Sequence, residues 1–123
     1  MRFPTLAATL AFGLAALPAT ASDEVDHYEA EPSESLAEAL ENLAAYNAKV
    51  AAVMDRADLG VADMEEVHQY TYTMEQAVAR IATEMEKTAE ILERVHQSSE
   101  GDNPDALRGE TEVYLDMTAP LTE

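Results

Sequence analysis

The chain contains no cysteine and no tryptophan, two phenylalanines, four glycines, and seven basic residues against 25 acidic ones. Each scarcity excludes something. Without cysteine there are no disulfides, no thiolate nucleophile, no thiolate metal site, no C-x-x-C-H attachment of haem and no lipidated cysteine after a leader. A formal charge of −18 repels nucleic acid and anionic lipid, which carry the same sign. The few glycines form no phosphate-cradling loop and no nucleophile elbow, so catalysis finds no support in a motif. Between Val61 and Ser99 there is neither glycine nor proline, which leaves nothing to interrupt a helix.

The 123 residues allow one small domain. The first 21 read as a cleaved signal peptide. Arg2 is followed by the apolar run FPTLAATLAFGLAAL, a break at Pro18, and Ala19-Thr20-Ala21 as a small-x-small cleavage site. Cleavage there leaves 102 residues from Ser22, with six basic residues against 25 acidic ones and a net charge of −19. The expected location is periplasmic or secreted, with no stable membrane anchor after processing. With no disulfides, so small a domain relies on packing, a ligand or oligomerisation.

Residues 22–34, SDEVDHYEAEPSE, are acidic and aperiodic and read as a flexible leader. A single helical domain is expected over 35–123. Ser35 and Glu38 form a capping box, which starts a helix over about 36–56. Its apolar line is Leu36, Leu40, Leu43, Asn47, Val50, Met54. Gly60 is an acceptable N-cap, and Leu59 with Met64 fits a hydrophobic staple, for a second helix over about 61–98. Its line is Met64, Val67, Thr71, Met74, Val78, Ile81, Met85, Thr88, Leu92, Val95, in unbroken alternation of three and four. After Gly101, Asp102 or Asn103 can cap a third helix with Pro104 at its first position. That helix, about 104–118, carries Leu107, Thr111, Tyr114 and Thr118, with Gly109 inside it and Pro120 expected to end it.

The lengths predict an all-α fold. Helices one and three together match helix two, so each packs antiparallel on one half of it. Ala77, Ala82, Ala89 and Ile91 flank the line of helix two and call for more burial than one partner supplies. A homodimer with the long helices antiparallel, giving a four-helix cross-section, answers that need; another helical protein is the other partner class.

Every histidine follows a glutamate by three residues: Glu24 and His27, Glu65 and His68, Glu93 and His96. Glu-x-x-His is the spacing that di-iron helical bundles draw from two helices. His68 and His96 stand about 42 Å apart on one helix, so a metal site of Glu65, His68, Glu93 and His96 needs two chains. The plainer reading makes them boundary residues with their tips in water. The methionines fit core gap-filling, although thioethers with His68 also suit copper or haem.

The stretches DHYEAEPSESL (26–36), AYNAKV (45–50) and DMEEVHQYTYTME (63–75) resemble a family of small exported bacterial proteins classed only as a domain of unknown function. That resemblance covers most of the mature chain and implies a periplasmic location, with no activity and no site residues. The resemblance to four-helix b-type cytochromes is weaker, because the chain offers three helices. The expectation is a non-catalytic binding or scaffolding protein without a cofactor; the alternative is a transition-metal or haem-binding bundle.

Overall fold

The computed structural model describes residues 28–122. The signal peptide, the first part of the leader, Glu24 and His27 lie outside them. The described chain is all-helical: α1 (Leu36–Met54), α2 (Val61–Ser99) and α3 (Pro104–Thr122). Two 19-residue helices lie along one of 39 residues.

Local chemistry sets the boundaries. Ser35 Oγ accepts the Glu38 N–H at 3.2 Å, while Glu38 Oε2 reaches back to the Glu34 N–H at 2.8 Å. Gly60 donates its N–H to Asp63 Oδ2 at 2.7 Å at the start of α2, and Asn103 Oδ1 accepts the Ala106 N–H at 3.2 Å at the start of α3. The expected end of α3 at Thr118 moves to Thr122, because Pro120 lies inside the last turn. A proline there forfeits one backbone bond near a frayed end rather than breaking a helix interior.

Both short helices run antiparallel to α2. Ser33, before α1, accepts from Arg80 Nε at 2.9 Å, and Arg56, after α1, pairs with Asp63 and Glu66 at the other end. Farther along, Ser98 donates to Glu110 of α3. α1 and α3 barely touch each other. Their meeting point is the hollow where Leu40 and Glu41 face Asp116, Ala119 and Pro120. The described fold is therefore two helices thick along its whole length.

The faces in contact differ from the expected lines. On α1 the buried residues are Leu36, Ala39, Tyr46 and Val53. Leu36, Leu40, Leu43 and Val50 keep their place, Ala39 joins them, and Tyr46 and Val53 replace the exposed Asn47 and Met54. The reason is physical: Tyr46 buries a ring against Tyr70, edge to face at 5.7 Å, whereas Asn47 inward would have to satisfy an amide in an apolar groove. On α2 the buried residues are Thr73, Ala77 and Thr88, and of the expected line only Thr88 is among them. Thr88 donates to the Glu84 carbonyl at 2.7 Å, and Thr73 accepts from the Glu31 N–H at 3.0 Å. Satisfied hydroxyls bury at little cost.

Residues 28–34, without regular secondary structure, are tied to both helices. Besides the Glu31–Thr73 and Arg80–Ser33 bonds, Asn42 Nδ2 donates to the Pro32 carbonyl at 2.9 Å and to Ser33 Oγ at 3.1 Å.

The rotation of α1 separates two adjacent residues cleanly. Val53 is 1% exposed and Met54 49%. Val53→Ala is expected to lower unfolding free energy in urea by about 1–2 kcal/mol, and Met54→Ala by less than about 0.5 kcal/mol. The reverse order would restore the line through Asn47 and Met54.

Candidate functional site

α2 has two faces with different chemistry. The face toward α1 and α3 carries Glu66, Tyr70, Thr73, Ala77, Glu84 and Thr88, all buried or half-buried. About 100° around the helix runs a second stripe: Met64, Val67, Thr71, Met74, Val78, Ala82, Met85, Ala89, Leu92. No member is charged. Met64 is 69% exposed, Val78 53% and Leu92 47%. The open face is thus less polar than the packed one, the reverse of an ordinary amphipathic surface helix.

Two shallow hollows mark this face. Thr71, Met74, Glu75, Val78, Ala79 and Ala82 line one of about 460 Å³. Met54, Leu59, Asp63, Met64 and Val67 line another of about 240 Å³. The second brings the expected staple residues, Leu59 and Met64, together at its surface rather than under cover. Among the described residues no helix is long and apolar enough to cross a membrane.

On the packed face, the polar groups are occupied. Tyr70 donates to Glu66 Oε1 at 2.7 Å, and Arg56 bonds both Glu66 and Asp63. The Tyr70 hydroxyl, and after it Arg56, hold the Glu66 carboxyl below its usual range. The Gly60 N–H, and after it Arg56, do the same for Asp63. Glu66 in turn raises the Tyr70 phenol. Lys49 Nζ sits 3.8 Å from the Tyr46 ring centre, a cation–π contact. These groups bond to one another and leave no nucleophile and base aimed at a shared open space.

Within one chain the residues of the expected two-chain metal site stand apart, as their spacing requires. His68 Nε2 lies 3.2 Å from the Tyr72 hydroxyl, with the rings edge to face at 5.1 Å. His96 lies 3.6 Å from Glu100, and Glu93 accepts from Gln97 at 3.0 Å. Glu65 is exposed. The two Glu-x-x-His pairs occupy opposite ends of α2, and no group of three or more ligating side chains gathers among the described residues. Sequence reasoning missed the Tyr46–Tyr70–Lys49 cluster, whose signal was the recurrence of tyrosine and lysine at contact spacing, and it missed the bonds of Asn42 and Arg80 to the leader, which have no local signal.

The described residues form a small all-α fold with an uncharged, partly exposed stripe along α2. The chain belongs to the family of unknown function DUF6746, which it matches over residues 1–123. No curated protein and no solved structure matches it.

The anchoring of Asp63 has a pH consequence. A depressed folded pKa adds stability above the unfolded value and loses it as pH falls through the folded one. Its reference value is 3.8 and that of Glu66 is 4.5, so the loss begins below about pH 4.5. Melting temperature followed downward from neutral pH is expected to fall less steeply in Asp63→Asn than in the native protein. Equal acid limbs would mean that the Gly60 and Arg56 bonds do not form in solution.

Proposed function

We propose that the protein is an exported, non-catalytic binding or scaffolding protein, and that it works through the uncharged face of α2. One observation carries this reading: a stripe of nine uncharged residues, five exposed and four half-buried, runs along the spine of a chain with net charge −18. Leaving apolar area in water is costly, at about 25 cal/mol per Å², and so strong an acidic surface already ensures solubility without it. The occupant is a helical surface, from a second copy or another helical protein. Nucleic acid and anionic lipid are disfavoured by charge. Export is supported by the run from Arg2 to Ala21, which has the pattern of a leader that directs a chain to the periplasm or outside the cell. The metal or haem alternative through Glu65, His68, Glu93 and His96 has no comparable support, since the pairs stand about 42 Å apart.

Native mass spectrometry of protein purified from its own periplasm tests this directly. The native chain is expected as a complex containing a 102-residue subunit that begins at Ser22. A Met64→Ser, Val78→Ser, Leu92→Ser variant is expected as a single chain with unchanged helical content. A native protein that flies alone, as the variant does, contradicts the binding reading, and a subunit retaining Met1 contradicts export.

A further inference from the structure

We infer that the partner on this face is a second copy of the chain, laid antiparallel with the two-fold axis at Val78. The inference rests on the reading of the face as a binding surface. Its basis is a symmetry in the stripe itself. The steps from Met64 to Leu92 run 3, 4, 3, 4, 4, 3, 4, 3, the same in either direction. An isologous contact requires a self-complementary patch, and this one reads identically from both ends.

The residues paired by that axis also fit by size. Val78 meets Val78. Met74 meets Ala82, Met85 meets Thr71, and Val67 meets Ala89, in each case larger against smaller. Met64 and Leu92, both well exposed, meet at the ends. Alternation of large and small across an interface lets helices interdigitate without voids.

Charge placement agrees. Two copies with net charge −18 repel each other, so a stable pairing must keep carboxylates apart along the contact. The near flank of the stripe carries Glu75, Glu86 and Glu93. Under this axis Glu75 stands opposite Ala79 and Ala82 of the second copy, Glu86 opposite His68, and Glu93 opposite Val61 and Met64. None of the three faces another carboxylate. The competing register, which brings His68 to His96, has its axis at Ala82. On the same flank it sets Glu75 beside Glu86 and Glu90 of the second copy, and so brings like charges together.

Area sets the size of the contact. The stripe is about 42 Å long and about 10 Å across, roughly 400 Å² of footprint per copy, about half the 800 Å² per partner of a standard interface. Met54 and Leu59, which share a hollow with Met64, extend it. The contact therefore spans α2 and its borders, and a shorter overlap would not hold.

The absence of native cysteine makes single-site labelling clean. Glu65 and Glu90 are exposed, so Glu65→Cys and Glu90→Cys can carry spin labels, each measured against its own copy by pulsed electron resonance. An axis at Val78 gives nearly equal separations along the helix, about 39 and 36 Å; an axis at Ala82 gives about 51 and 24 Å. A parallel pair gives short distances at both sites. Val78→Glu sets two carboxylates together on the axis and is expected to weaken association at least about 100-fold in sedimentation, while circular dichroism stays helical. Unequal distances, short distances at both sites, or a Val78→Glu dimer as tight as the native one overturns the inference. So does a native chain that stays monomeric at about 100 µM, where micromolar association is saturated. That last result leaves the binding-surface reading to the periplasmic complex, which would then contain a different helical chain.

Discussion

The antiparallel docking of two short helices on successive halves of one long helix determines the rest of this structure. A long helix that must serve two partners in turn can bury only one face, and the resulting body is two helices thick. Among the described residues five apolar side chains are buried: Leu36, Ala39, Tyr46, Val53 and Ala77. Four belong to α1, and none to α3. A core of that size is small for a domain without disulfides or a metal. The uncharged stripe from Met64 to Leu92 is further apolar area, exposed most at Met64, Val78 and Leu92.

The two halves of the spine are held unequally. Along the α1 half, Tyr46 packs on Tyr70, Lys49 caps the Tyr46 ring, Arg56 bridges two carboxylates, and residues 31–33 bond to Asn42, Thr73 and Arg80. Along the α3 half, the contact is made by half-buried side chains such as Leu107, Thr111 and Tyr114, with the Ser98–Glu110 bond as a polar tie. Gly109 inside α3 lowers its intrinsic helicity by about 1 kcal/mol. Local opening in such a molecule begins where buried contacts are fewest. In the dimer proposed above, with its axis at Val78, the well-packed α1 half of one copy would lie beside the loosely packed α3 half of the other.

What could be read from the sequence was local. The Ser35, Gly60 and Asn103 caps act within three or four residues of themselves, so the starts of all three helices were legible. Helix lengths then fixed the two-on-one arrangement, because 19 and 19 residues fill a helix of 39. The choice of face was not legible. Apolar positions at three-four spacing define a stripe, but α2 has two stripes about 100° apart, one apolar and one of small or internally satisfied polar residues. Pattern alone favours the apolar stripe, and the intrachain contact takes the other. Thr73 shows why: its burial depends on a hydrogen bond from Glu31, 42 positions away. The histidine pairs were legible as a spacing, and one straight helix holds them apart within a chain, so a site made of them needs two chains.

The central claim is that folding of a single chain leaves the stripe open. Methionine oxidation by peroxide, read by mass spectrometry at high dilution and again at about 100 µM, tests it with native residues. The account predicts that Met64 oxidises nearly as fast as in the unfolded chain at high dilution, and that Met64 and Met74 are both slowed at the higher concentration while half-buried Met117 on α3 changes little. A Met64 already slow at high dilution would contradict the account, because it would mean that the chain covers its own stripe.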